Sequence, residues 1–163
     1  MSGIIGGVGS KSGVIGEIES FQDANAWNRT LTGSATYSTA VIDFQNAVHM
    51  GTNITESGGV ITIGTAGWYL VTLTLGNKDG STTVCFAWLE TEPAAGGGFT
   101  QIGHRLYWNV VDSTGVEYTG KTLTNFFEFA ENDKIRVYAS TGQVYGSSAT
   151  HTMCSFSGFR LGA

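Results

Sequence analysis

Residues 67–75 read Gly67-Trp68-Tyr69-Leu70-Val71-Thr72-Leu73-Thr74-Leu75. Taken alternately after the glycine, they divide into Tyr69, Val71, Leu73 and Leu75 on one side and Trp68, Leu70, Thr72 and Thr74 on the other. A period of two among β-branched and aromatic residues is the pattern of a pleated strand. An ordinary half-buried strand would be polar on its second side. Here the second side still carries Trp68 and Leu70, so one face fills a core and the other asks for a further partner.

The same reading extends along the chain. Strand patterns fall at 37–44, 47–50, 59–63, 82–91, 99–110 (bulged near Gly103), 121–130, 134–140 and 152–161, separated by clusters of Gly, Asn, Asp and Ser. Asp79-Gly80 within NKDG at 77–80 predicts a hairpin turn after 67–75. In 82–91, Val84, Phe86 and Trp88 oppose Cys85, Ala87 and Leu89; in 121–130, Leu123, Phe127 and Phe129 oppose Phe126; in 152–161, Met153, Phe159 and Leu161 oppose Cys154 and Phe156. No helical periodicity interrupts the series after Tyr37. The expectation is an all-β, antiparallel jelly-roll sandwich over 37–163, preceded at 17–36 by a linker with at most a short helix. Exposed apolar sheet area is costly at roughly 25 cal/mol per Å², and a closed symmetric oligomer is the simplest way to cover it.

Composition agrees. The 163 residues suit one domain. Charged residues are 13% of the chain and apolar residues 41%, so a core is affordable while a charged surface is sparse. Eight basic against thirteen acidic residues leave a net charge of −5, which argues against a nucleic-acid partner. No apolar run reaches the ~18–20 residues of a membrane helix, and membrane insertion is not expected.

The opening, MSGIIGGVGSKSGVIG at 1–16, has glycine at 3, 6, 7, 9, 13 and 16. Its glycines break every apolar patch, and Lys11 follows rather than precedes the first of them, so it does not have the form of an export signal. It reads as an extended anchoring arm, with Ile4, Ile5, Val8, Val14 and Ile15 as its contacts. Its own domain, a sister subunit or a larger assembly are the candidate surfaces.

Chemistry-bearing residues are scattered. His49, His104 and His151 fall in different segments, and Cys85 and Cys154 stand alone. No His-x-x-x-His or Cys-x-x-Cys spacing suggests a metal, and no catalytic residue or cofactor is expected. Without an export signal the two cysteines read as reduced, buried thiols, a single disulfide being the open alternative. Arg105, Tyr107 and Trp108 form the one cluster whose types suit a surface contact with a glycan or a protein.

Three motifs carry a family resemblance. Gly67-Trp68-Tyr69-Leu70, then Glu131-Asn132-Asp133-Lys134-Ile135-Arg136-Val137, then the ending Ser155-Phe156-Ser157-Gly158-Phe159-Arg160-Leu161 resemble, in order and spacing over 37–161, the globular heads of complement q-subcomponent proteins. Asn132 stands where that family has glycine, and Arg160 where it has leucine. The resemblance implies the ten-strand jelly roll and tight homotrimer that this family shares with the tumour necrosis factor superfamily. It also implies that Trp68, Tyr69, Phe127, Phe156 and Phe159 are core or trimer-axis aromatics and that Gly158 permits close strand packing. The family's collagen-like stalk is missing, and the opening of the chain is similar to the starts of small virion proteins of tailed phages. Together these imply a virion structural protein: a trimeric capsid decoration or cement protein, assembled in the host cytoplasm, whose arm docks on a major capsid or tail protein. Its loops at 92–99, 112–119 and 142–150 would face the medium. The alternative is a receptor-binding fibre or spike tip that recognises a host-surface glycan or protein.

Overall fold

The computed structural model describes residues 24–31, 34–77, 85–108, 119–145 and 154–162. They form eleven strands: β1 (Ala26–Thr30), β2 (Ser34–Val41), β3 (Asn46–Met50), β4 (Ile54–Ser57), β5 (Val60–Ile63), β6 (Gly67–Asn77), β7 (Cys85–Glu92), β8 (Thr100–Trp108), β9 (Thr119–Phe129), β10 (Lys134–Tyr145) and β11 (Ser155–Gly162). Among the described residues there is no helix. One sheet has the order β3-β1-β11-β6-β9, the other β4-β5-β10-β7-β8, with β2 added along β10. Every pairing is antiparallel. This is the expected jelly-roll sandwich.

The core lies where the alternation placed it. Tyr69, Val71, Leu73 and Leu75 of β6 are fully buried, facing Ala87 and Leu89 of β7 and Ile135 and Val137 of β10. Aromatic rings close the middle: Trp27 lies 5.5 Å from Phe156 and 6.1 Å from Tyr69, and Tyr69 lies 5.8 Å from Phe129. Centroid separations of this size are the preferred range for tilted and edge-on pairs. The Tyr69 hydroxyl donates to the Thr65 carbonyl at 2.7 Å, which satisfies the polar end of a buried ring.

Three sequence expectations change. First, the stretch 17–36 is not merely a linker. Residues 26–30 form a strand between β11 and β3, Trp27 is among the largest buried side chains, and β2 begins at Ser34. The sandwich therefore starts before residue 37. Arg29 hid this strand, because a charged residue within it reads as solvent-facing. In the fold it is 7% exposed, donating from Nε to the Phe44 carbonyl at 2.6 Å and pairing through Nη2 with Glu56 at 2.9 Å. Second, the pattern at 59–63 is only half of a hairpin: β4 and β5 pair across Gly58 and Gly59, both at positive φ, a conformation glycine adopts cheaply.

Third, 77–80 does not close a hairpin between paired strands. β6 ends at Asn77 in one sheet and β7 starts at Cys85 in the other, so these two strands are not hairpin partners. Residues 78–84 themselves lie outside the described set. The loop at 92–99 is exposed from Pro93 to Gly98, as expected. Glu92 pairs with Lys134 at the end of the sandwich that also holds Phe129, Gly67 and Gly162. The Asn25 carbonyl accepts from Arg160 N at that same end, the base, so the chain enters β1 there. At the far end lie Asn77, Thr119, Trp108 and Tyr145. The expected outer segments 112–118 and 146–150 and the arm residues Ile4, Ile5, Val8, Val14 and Ile15 lie outside the described residues.

Candidate functional site

The outer face of the five-stranded sheet is divided in two. Near the base, Phe159 of β11 stands opposite Leu70 of β6, and Leu70 stands opposite Phe126 of β9. Directly opposed residues hold their Cβ atoms within about 5.5 Å, so these three side chains make one row, and Trp68 lies two residues further down β6. Phe126 is 56% exposed, Trp68 46% and Phe159 36%; Leu70 is half-buried. Toward the far end the same face becomes hydroxylic. Thr72 bonds Thr124 and Thr74 bonds Thr122, each at 3.1 Å, with Ser155 and Ser157 in register beside them. One half of this face is dressed for water and the other is not.

The outer face of the six-stranded sheet is built differently. Trp88 of β7 donates from Nε1 to Glu90 at 2.9 Å, Glu90 is paired with Arg136 of β10 at 2.7 Å, and the Arg136 guanidinium lies 3.7 Å from the centre of the Phe99 ring. Tyr138 packs 5.3 Å from Trp88. One row down, Lys134 bonds Glu92 at 2.8 Å, and this contact holds the Glu92 carboxyl below its ordinary pKa. A bulge in β8 completes the face. Ala87 pairs with Leu106 and Leu89 with Ile102, so Gly103, His104 and Arg105 together stand opposite Trp88, with Gly103 at φ +66°. Bulges of this kind re-aim side chains. This one lays the Arg105 guanidinium over the Trp88 ring at 4.5 Å, where Gln101 Oε1 accepts from its Nε at 2.8 Å. Tyr107, 52% exposed, sits beside Phe86 with ring centres 5.1 Å apart.

The residues expected to form core or axis therefore split. Tyr69 and Phe156 are core, and Phe127 packs against the core from the edge of β9, its ring beside Gly103. Trp68 and Phe159 point outward. Leu70 and Phe126, which belong with them, become visible as a patch only once β6 is known to lie between β9 and β11. Arg105 and Tyr107 share the outer face of β8 as expected; the Trp108 side chain lies outside the described residues.

No group of three or more His, Cys, Asp or Glu side chains is placed to hold a metal among the described residues. Cys154 is buried, and its sulfur accepts from Gly76 N at 3.1 Å. Burial pushes its pKa from 9.0 to about 11, the Gly76 amide pulling weakly the other way. The native state thus keeps a proton that the unfolded chain has released. The resulting contribution is intact below pH about 9 and is lost as the pH rises toward about 11. Over that window the urea midpoint of the native chain should fall more steeply than that of Cys154→Ala. Parallel slopes would show that the thiol is not the cause.

Two opposed antiparallel sheets in this strand order define a tumour-necrosis-factor-like jelly roll, and solved structures bear this out. The chain is similar to Eiger TNF from S. frugiperda, with a TM-score of 0.67 at 14% identity, over 84% of this chain and 92% of that one. It is also similar to murine APRIL, with a TM-score of 0.63 at 13% identity, over 83% and 98%. No family model and no curated protein matches the sequence. Identities this low carry the fold and nothing more.

Proposed function

We propose that the chain is a non-catalytic structural protein of a virion, a homotrimer that decorates or cements a capsid and is held there by its N-terminal arm. The observation that carries the assembly is the exposed apolar side chains Phe159, Phe126 and Trp68 around the half-buried Leu70 on one sheet face, in a chain with few charges to keep such a face apart. Contiguous exposure of this sort marks an interface. Three copies around an axis cover the patch on each with the same surface on the others. The likeness of the opening residues to starts of phage virion proteins supports the capsid setting. The chain enters β1 at the base, beside the apolar patch, so three arms would leave one end of a trimer and act together through effective concentration.

The full-length chain should have three times the monomer mass by light scattering at micromolar concentration. Phe126→Asp combined with Phe159→Asp removes no fully buried side chain and should give a folded species of one-third the native mass. Removal of residues 2–16 should keep the trimer and abolish its uptake onto particles. A monomeric native chain would refute the assembly, and uptake of the truncated trimer would refute the arm.

A receptor-binding tip is the second reading, favoured by the aromatic and cationic outer face of β7, β8 and β10. Copy number on the particle separates the two, being high for decoration and low for a tip.

A further inference from the structure

The geometry points to a binding surface for carboxylate-bearing saccharides on the outer face of β7 and β8, centred on Arg105 and Tyr107. Its polar groups are arranged as a nearly closed account with one cation over. Arg136 is matched by Glu90 and Lys134 by Glu92. Arg105 has no acidic partner among the described residues: its Nε is spent on Gln101, its plane rests on Trp88, and the side chain is exposed. In a chain of net charge −5 this cation is neither neutralised nor free to wander. A guanidinium fixed in orientation, with its terminal N–H groups unspent, is suited to a planar carboxylate.

The neighbours of Arg105 choose between anionic partners. Two residues along β8, Tyr107 offers an exposed ring backed by Phe86, a flat apolar plate on which a pyranose ring can lie while its carboxylate reaches Arg105. An acidic peptide added as a strand would need a regular edge. β8 is the edge strand of its sheet, but the three-residue bulge at Gly103 to Arg105 breaks its run of amides just where Arg105 stands. The face therefore fits an acidic sugar better than an acidic peptide. It lies on the opposite sheet from the assembly patch and does not depend on it.

The probes are polygalacturonate, its fully methyl-esterified form, oligomers of sialic acid and polyglutamate, each titrated against the full-length chain by calorimetry. One or both carboxylate saccharides should bind, and the methyl ester and polyglutamate should bind about tenfold more weakly or not at all. Arg105→Gln and Tyr107→Ala should each reduce saccharide affinity about tenfold. Both positions are exposed, so thermal unfolding should match the native chain and confirm that the variants fold. Lys121→Ala, an exposed cation on the other sheet, should bind as the native chain does. Failure of both acidic saccharides overturns the proposal. So do equal binding of the ester, equal binding of polyglutamate, or unchanged affinity in Arg105→Gln.

Discussion

Replacing Arg29 with methionine should cost about 3–5 kcal/mol of stability, the range for breaking a buried ion pair from one side. Arg29 is a buried charge in a largely buried strand, and its two contacts run in different directions. Nε fixes the Phe44 carbonyl, and Nη2 fixes the carboxylate of Glu56 on β4. Glu56 in turn accepts from Gly59 N at 2.8 Å, closing the β4–β5 turn. The side chains are 9% and 15% exposed, so the charge left behind is poorly reached by water. Removal of the arginine therefore loosens the β3–β4 side of the sandwich from two points. Joined with Glu56→Gln, Arg29→Met should cost clearly less than the sum of the two single changes, since neither charge is then stranded. Urea unfolding of the four proteins gives the cycle. A loss below about 1 kcal/mol for Arg29→Met, the worth of an exposed pair, would mean that the contact is ornamental.

Gly158→Ala should lower the urea midpoint by the equivalent of about 1–3 kcal/mol or more, with the slope unchanged. The reason is contact rather than backbone conformation. Gly158 lies opposite Trp27 on β1, and a Cβ there would stand under 3.0 Å from Cη2, Cζ2 and Cζ3 of the indole. The ring has nowhere to retreat, being packed against Tyr69 and Phe156. Either β11 must lift from the core or Trp27 must leave its place. Gly120→Ala on β9, where the nearest heavy atom would be 3.8 Å away, is the control and should cost no more than the usual fraction of a kcal/mol for a surface change. Similar midpoints for the two variants would show that β1 and β11 are not so closely matched.

The inner faces of the long strands were legible because their period of two is local. Tyr69, Val71, Leu73 and Leu75 announce themselves in one nine-residue window, and so do Ala87 and Leu89. β1 was not legible, since what makes Arg29 acceptable inside is a carboxylate twenty-seven residues away. The turn residues at 77–80 carried no information on whether the strand that follows lies in the same sheet. The closing Phe-Ser-Gly-Phe motif marked Gly158 through resemblance alone, because nothing in the sequence says that the indole of Trp27, 131 residues earlier in the chain, will need that space. Of the candidate surfaces, Trp68 and Phe159 were visible as apolar residues on second faces. Their union with Leu70 and Phe126 required the order β11-β6-β9. The stack of Arg105 on Trp88 required a bulge that moves one strand past its neighbour by two residues.

The separation of the sandwich into a base and a far end has a practical meaning. Trp108 and Thr119 lie at the pole remote from Ala24 and Gly162, and both belong to strands already secured along their length. A foreign peptide spliced between them would be carried at that end, away from the strands that close the base. As a display scaffold, the protein offers that remote pole for cargo.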